Sequence, residues 1–171
     1  MTVPRRGVGT PTPEESFRGL FARHYGAVFA YAARRVGWDD ASDAAAEVFT
    51  VAWKKLRTVP GEPDTLPWLY GVARKIVANQ LRSHRRRERL DAKVAGAPPV
   101  AWSDSDPADL DGALTRLRRD DREVLMLAAW EGLTPAEMGR ALGCSPGAAA
   151  VRLHRARARL SAVWEDTGGS R

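Results

Sequence analysis

Apolar residues recur every three to four positions along most of the chain, which is the period of an amphipathic α-helix. The first such stripe ends at Gly37 and consists of Phe17, Leu20, Phe21, Val28, Ala32 and Val36. It follows "TPEE" at 12–15, which supplies a capping threonine, a proline at the first helical position and two acids near the positive helix end. The pattern predicts a helix that begins near Thr12.

Two more helices are predicted in the first half of the chain. One runs from about residue 40 to residue 56, and its inner stripe is mostly small: Ala41, Ala44, Ala45, Val48, Val51 and Ala52. Small side chains allow another helix to approach closely. The loop "RTVPGEPDTLP" follows, with three prolines and a glycine. The other helix is predicted from about residue 67 to residue 89.

The second half shows four further helical segments. Two are expected near 108–118 and 121–131. The third starts at "TPAE", where Thr134 and Glu137 form a capping box, and it ends at Gly143. The fourth starts at "SPGAAAVRLHRARARL", with Ser145 as cap and Pro146 at the first helical position. Because no stretch alternates like a strand, the sequence predicts an all-α protein.

Loss of periodicity at "DAKVAGAPPVAWSDSDP" divides the chain into two helical lobes. The predicted organisation is a disordered N-terminus at 1–12, a first domain at 13–89, a flexible linker at 90–107, a second domain at 108–164 and a tail at 165–171.

Charge and residue composition limit the classes of partner and of activity to be expected for this chain. A net charge of +6 in 171 residues points to a polyanion, above all nucleic acid. One cysteine, Cys144, excludes an intramolecular disulfide and fits a reducing cytoplasm. No apolar run approaches the ~18 residues of a membrane span. The three histidines, predicted at the surface or its boundary, lack metal-binding or triad spacing, so we expect no metal, no cofactor and no enzymatic activity.

The last two helices have the pattern of a helix-turn-helix, in which the second helix enters the major groove. The alternative is an ordinary solvated face, but the arginine row contains no acid to form i,i+4 pairs. We therefore expect duplex DNA binding by Thr134, Ser145, Ala148, Arg152, Arg155 and Arg159.

The third helix carries a second cationic face, which predicts another nucleic-acid surface. Trp68 lies on this polar side, where it could stack on an unpaired base or tuck under the preceding loop; the sequence leaves both open. The predicted contacts are Trp68, Arg74, Lys75, Asn79, Arg82, Arg85 and Arg86.

The outer face of the second helix carries Asp43 and Glu47, four residues apart, with Phe49 and Trp53 on one flank. Like charges at this spacing weaken a helix slightly, which a basic partner would relieve. Ordinary solvation of two acids is the alternative.

Three segments together resemble an extracytoplasmic-function (ECF) sigma factor of the sigma-70 family: "FARHYGAVFAYAARRVGWDDASDAAAEVFTVAWKKL", "PWLYGVARKIVANQLRSHRRR" and "LTRLRRDDREVLMLAAWEGLTPAEMGRALGCSPGAAAVRLHRARARL". The resemblance spans roughly residues 16–162. It implies a bacterial transcription initiation factor, cytoplasmic and nucleoid-associated, with sigma regions 2 and 4. It departs from the usual pattern at Ala46, Lys75 and Ala150.

By this resemblance, the helix with Asp43, Glu47, Val48 and Phe49 would bind the clamp helices of the largest subunit of core RNA polymerase. The loop from Arg57 to Leu66, together with Trp68 and the third helix, would open the −10 element and hold a flipped base of the non-template strand. The last helix would read the −35 element as duplex. An anti-sigma factor is a further partner of many relatives. A stand-alone helix-turn-helix regulator remains the alternative function.

Overall fold

The computed structural model describes residues 11–95 and 110–166, with side chains at 11–90 and 110–166. Within these ranges the chain is helical and contains no strand. The helices are α1 (Pro13–Val36), α2 (Trp38–Lys54), α3 (Thr65–Ala95), α4 (Leu110–Arg116), α5 (Arg119–Ala129), α6 (Pro135–Leu142) and α7 (Pro146–Asp166), with a 3₁₀ turn at Leu56–Thr58. The all-α prediction is confirmed. Residues 1–10, 96–109 and 167–171, which hold most of the predicted disordered terminus, linker and tail, lie outside the described residues.

The first lobe consists of α1, α2 and α3. Helix α1 starts with the predicted capping box: the Glu15 N–H donates to Thr12 Oγ1, and the Thr12 N–H donates to Glu15 Oε2. Helix α2 begins at Trp38, two residues earlier than predicted, directly after Gly37 with its positive φ of 85°. The small stripe of α2 allows close helix packing as predicted, and the helices that pack against α2 are α1 and α3. The buried members of the stripe are Ala41, Ala44, Ala45, Val48 and Ala52.

Helix α3 is longer than the sequence analysis predicts. It begins at Thr65 rather than near Pro67 and continues to Ala95, into the predicted linker. The reason is local, because "LDAKVA" at 90–95 contains the helix formers Leu, Ala and Lys, and the first breakers along the chain are Gly96 and Pro98.

The second lobe contains α4 to α7. Arg122 of α5 fixes the end of α4, since its guanidinium donates to the carbonyl oxygens of Leu114 at 2.8 Å and Thr115 at 2.9 Å. The predicted caps of α6 and α7 are present: Thr134 and Glu137 form a capping box, and the Ala148 N–H donates to Ser145 Oγ at 3.2 Å.

The two lobes pack against each other in the described part of the chain. Helix α6 lies on α3, where a Cβ added to Gly71 would stand 3.1 Å from the carbonyl oxygen of Ala141. Ion pairs also connect the end of α1 with α5 and the residue Glu131 that follows it. No helix among the described residues has the length and apolarity needed to cross a bilayer.

Candidate nucleic-acid and polymerase interfaces

The exposed face of α7 presents arginines from the second turn onward. Arg152 and Arg155 are exposed and have no ion pair among those described, whereas Arg159 is held by Asp121 of α5 at 2.6 Å. Ser145 and Thr134 are exposed at the starts of α7 and α6, and Ala148 is half-buried. Five of the six predicted duplex contacts therefore lie near an accessible surface without an ion pair, and Arg159 has an intramolecular partner that sequence spacing did not reveal.

The turn between α6 and α7 fixes the angle at which α7 is presented. Gly143 adopts a left-handed conformation, with φ of 68°, and the Cys144 N–H donates to the carbonyl oxygen of Gly139 at 2.8 Å. At the other end of α6, the hydroxyl and backbone N–H of Thr134 both donate to Glu137 Oε2 at 2.7 Å. These hydrogen bonds lower the pKa of the Glu137 carboxyl from its ordinary value.

Most of the nucleic-acid contacts predicted on α3 are exposed to solvent. The exposed residues are Lys75, Asn79, Arg82, Arg85 and Arg86, and Arg82 donates to the side-chain oxygen of Asn79. Arg74 is different, because it is half-buried and its Nε atom is buried with no hydrogen-bond partner. Arg74 and Arg82 both line a cleft that separates α3 from α5 of the second lobe.

The sequence left open whether Trp68 is exposed for stacking on a base or packed under the preceding loop, and the structure shows it partly exposed and partly packed. Its side chain is half-buried and packs against the hydrophobic core, so part of the ring contributes to packing. The remaining exposed part lies near the start of α3, nearly two turns before the cationic residues. Only the accessible part of the Trp68 ring is therefore available to stack on a base.

The loop before α3 is fixed by an ion cluster that sequence analysis missed. Glu62 Oε1 accepts from the guanidinium of Arg23 at 2.9 Å and lies 2.8 Å from Nε2 of His24. The hydrogen bond from Arg23 is the main cause that lowers the pKa of the Glu62 carboxyl. His24 is buried, which corrects the prediction that it lies at the surface or boundary. Separation by 38 residues hides this contact from local sequence reasoning.

The outer face of α2 exposes Asp43 and Glu47 as predicted, but Val48 and Phe49 are only 1% and 2% exposed. The prediction that both contact the partner directly is therefore corrected: both side chains are buried in the lobe, and Phe49 packs against Phe17 and Phe21 of α1. Beside Glu47 runs an open groove of about 720 Å³ between α1 and α2, whose aromatic lining is Phe17, Phe21, Phe49 and Trp53.

The described residues contain no cluster of three or more His, Cys, Asp or Glu side chains that could hold a metal ion. Cys144 is a half-buried free thiol in the turn between α6 and α7.

Two family models match the chain. Residues 20–87, most of the first lobe, match sigma-70 region 2, and residues 108–160, most of the second lobe, match sigma-70 region 4. Among curated proteins, the RNA polymerase sigma factor CarQ of Myxococcus xanthus is 35% identical over 149 residues, covering 83% of this chain and 85% of that protein. This chain belongs to the ECF sigma factors of the sigma-70 family.

Further similarities agree with this assignment. The RNA polymerase sigma factor CnrH of Cupriavidus metallidurans is 30% identical over 171 residues, covering 89% of this sigma factor and 88% of that protein. A solved structure of CnrH in complex with the cytosolic domain of CnrY superposes with a TM-score of 0.62 at 31% identity and covers 88% of each chain.

The first lobe of this sigma factor is region 2 and the second is region 4, which contains the helix-turn-helix. As an ECF sigma factor, the protein acts in transcription initiation as a DNA-binding regulator and not as an enzyme.

Proposed function

We propose that this sigma factor binds core RNA polymerase, directs it to specific promoters and assists melting of the −10 element. Two cationic surfaces, one in each lobe, carry the proposal. A duplex reader and a single-strand binder in one chain gain avidity when polymerase fixes the distance between them. The free protein alone then binds a promoter weakly.

The −35 element is read as duplex by α7. Arg152 and Arg155 are exposed and form no ion pair with the residues that the structure describes. The planar fork of a guanidinium matches the acceptor pair of guanine or two phosphate oxygens. Ser145 and Ala148 bring the start of α7 close to the DNA backbone, Thr134 does the same for α6, and Arg159 contacts DNA only after it leaves Asp121.

The −10 element is opened along α3. Flipping a base costs a few kcal/mol of stacking, which contacts to the extruded strand repay without any catalytic group. The exposed part of Trp68 stacks on the base, while the phosphates follow Lys75, Asn79, Arg82, Arg85 and Arg86, with Arg74 joining them. The ion cluster around Glu62 supports this function because it holds the preceding loop in place.

Polymerase binds the outer face of α2. Asp43 and Glu47 offer exposed negative charge to basic groups on the clamp helices of the largest subunit, and Val48 and Phe49 support the helix from inside. An anti-sigma factor is a further proposed partner, because the CnrH structure contains the cytosolic domain of CnrY.

The test is transcription from fragmented genomic DNA of the source bacterium by bacterial core enzyme with and without the purified protein, followed by sequencing of RNA 5′ ends. The proposal predicts new start sites that share upstream −35 and −10 sequences and appear only when the protein is added. Start sites identical to those of core enzyme alone would reject it. A stand-alone regulator would protect duplex DNA without adding any start site.

A further inference from the structure

Arginines from both regions line the cleft between α3 and α5. The cleft has a volume of about 290 Å³, and its cationic lining consists of Arg34, Arg35, Arg74, Arg82, Arg119 and Arg122. The first two are neutralised within the protein, because Arg34 pairs with Glu131 and Arg35 pairs with Glu123. The other four form no ion pair with the residues that the structure describes, and we call them the cleft arginines: Arg74, Arg82, Arg119 and Arg122.

Arg74 carries a buried donor that the protein does not satisfy. Its Nε atom is buried and has no hydrogen-bond partner in the described part of the chain, although the residue lines the cleft. A buried donor without an acceptor is costly, and native proteins rarely leave one unpaired. The Arg74 side chain is therefore placed to donate to an acceptor that a ligand supplies.

The other cleft arginines also have N–H groups to offer. Arg82 and Arg119 are exposed, and the one side-chain hydrogen bond of Arg82 to a described residue goes to Asn79. Arg122 holds the end of α4 through its Nε atom and one Nη atom, and its second Nη atom makes no hydrogen bond to a described residue. Donors from α3 and from α5 can therefore reach the same ligand.

Like charges from the two regions lie close together at this cleft. Burial is the main cause that lowers the pKa of Arg122, and the charges of Arg85 on α3 and Arg119 on α5 lower it further. Repulsion between cations across a packed surface is unfavourable, and an anion placed between them replaces it by attraction. Asp120 is the remaining carboxylate of the lining, so positive charge is in excess.

The number of arginines and the size of the cleft limit the class of anion. Each guanidinium presents a planar fork of N–H groups that matches two oxygens of a phosphate. A single phosphate has too few oxygens for four such forks, whereas two or three linked phosphates have enough. A volume near 300 Å³ is the lower limit for a pocket that holds one small ligand, which favours a small molecule over a nucleic-acid strand.

We propose that the cleft arginines form a binding site for a small oligophosphate, which is either a free chain of two or three phosphates or the phosphate chain of a nucleotide. Arg74 donates to it from the buried side, and Arg82 and Arg119 donate from the exposed edge. The apolar part of the lining strengthens these hydrogen bonds by lowering the local dielectric constant, and it consists of Val77, Ala78, Leu81 and Met126. The site goes beyond the proposed function, because it requires neither polymerase nor promoter.

The test uses matched variants of the full chain. Arg119→Ala removes an exposed charge of the cleft, and Ala78→Leu fills the cleft without any change of charge. Arg118→Ala is the matched control, because Arg118 is an exposed neighbour that does not line the cleft. Circular dichroism verifies that each variant remains helical, and Arg119→Ala alone carries the test if Ala78→Leu does not fold.

Isothermal titration calorimetry with sodium tripolyphosphate, at constant ionic strength and without divalent cations, gives the result. We expect wild type to bind one anion per chain and Arg119→Ala to bind about fivefold more weakly, as for the loss of one exposed ion pair. Ala78→Leu should bind at least about tenfold more weakly, because the added carbon atoms overfill the cleft. Arg118→Ala should match wild type. No saturable binding by wild type, or equal losses in Arg118→Ala and Arg119→Ala, would overturn the inference.

Two further ligands identify the source of the phosphates. Tighter binding of tripolyphosphate than of metal-free adenosine triphosphate indicates a free chain, the reverse order indicates a nucleotide, and both results uphold the inference. A short thymidine oligonucleotide that loses affinity in Arg119→Ala, while tripolyphosphate does not, would assign the cleft to the nucleic-acid surface and overturn it.

Transcription start-site mapping with the wild-type protein separates failure of this site from failure of the proposed function. Promoter-specific transcription by a protein that does not bind tripolyphosphate overturns the oligophosphate site and leaves the proposed function standing. Tripolyphosphate binding that depends on Arg119, without any new start site, upholds the site and rejects the proposed function.

Discussion

Gly139 and Cys144 approach so closely across the turn of the helix-turn-helix that any side chain at position 139 forces the backbone of the turn to shift. A Cβ at Gly139 would lie 2.7 Å from the carbonyl oxygen of Cys144, and the Gly139 carbonyl oxygen accepts the Cys144 N–H at 2.8 Å. The obstacle is backbone and cannot rotate away. The angle between α6 and α7, and with it the presentation of Arg152 and Arg155, depends on this contact.

We therefore predict that Gly139→Ala lowers the free energy of unfolding of region 4 by about 1–3 kcal/mol, the usual cost of overpacking. Thermal unfolding of the full chain measures it. Gly147→Ala is the control, because a Cβ there meets nothing within 4 Å. The control should gain up to about 1 kcal/mol, as expected for glycine to alanine in a helix. Equal stability of the two variants would contradict the argument.

Substitution of arginines on opposite sides of α7 distinguishes base-specific recognition from general electrostatic attraction to DNA. Arg152→Ala should weaken binding of a −35 duplex by about 1–3 kcal/mol if Arg152 contacts a base edge. Arg157 is also exposed but lies about 140° around the helix, so Arg157→Ala removes the same charge from the wrong face. Fluorescence anisotropy of the holoenzyme on matched and mismatched −35 duplexes measures both. Equal losses for the two variants would mean that α7 supplies only charge.

Trp68 should affect promoter opening more than promoter binding. We expect Trp68→Ala to slow open-complex formation while polymerase binding stays at the wild-type level, because stacking on the flipped base is lost. Since the ring also packs against the core, Trp68→Phe is the matched variant, and it should retain most of the opening rate. Permanganate reactivity of unpaired thymines follows opening over time. A normal opening rate in folded Trp68→Ala would exclude the stacking role.

We expect the loop before α3 to become less protected from hydrogen exchange at acidic pH. The pKa of Glu62 is lowered in the folded protein, chiefly by the hydrogen bond from Arg23. Its contribution to stability is therefore present above the ordinary glutamate value of 4.5 and is lost as the pH falls through the lower folded pKa. Hydrogen exchange of the amides at 57–66 should accelerate between about pH 5 and pH 3, after correction for intrinsic rates.

The variant Glu62→Gln provides the check at neutral pH. It should raise exchange in the same loop at pH values where the wild type is still protected, since the carboxylate no longer holds Arg23 and His24. Glu165→Gln serves as the control for loss of one exposed acid. Exchange in Glu62→Gln that matches wild type at neutral pH would remove Glu62 as the anchor of the loop.

Local signals in the sequence were sufficient to predict most of the helices. The capping boxes at Thr12 and Thr134 and the left-handed Gly143 require only residues within one turn, so the pattern predicts them directly. The end of α3 was wrong because loss of amphipathic period was taken as loss of helix, although "LDAKVA" has no breaker.

Contacts between distant segments account for the remaining differences. His24 is buried by a loop 38 residues away, Arg159 is paired by Asp121, and Phe49 is buried under the aromatic side chains of α1. On an isolated helix, the positions of these three side chains are compatible with an accessible surface, so the sequence alone predicts them to be accessible. Only the packing of a second helix or loop against that face decides between the two positions, and a helical wheel contains no such information.

The most direct test of the account is a combined footprint on one promoter, with core polymerase and full-length protein, that records −35 protection and −10 thymine reactivity on the same DNA. With wild-type protein we expect both signals. With Arg152→Ala both should weaken together, and with Trp68→Ala the −35 protection should persist while thymine reactivity falls. Loss of −35 protection in Trp68→Ala, or unchanged signals in both variants, would contradict the assignment of duplex and single-strand recognition to the two lobes.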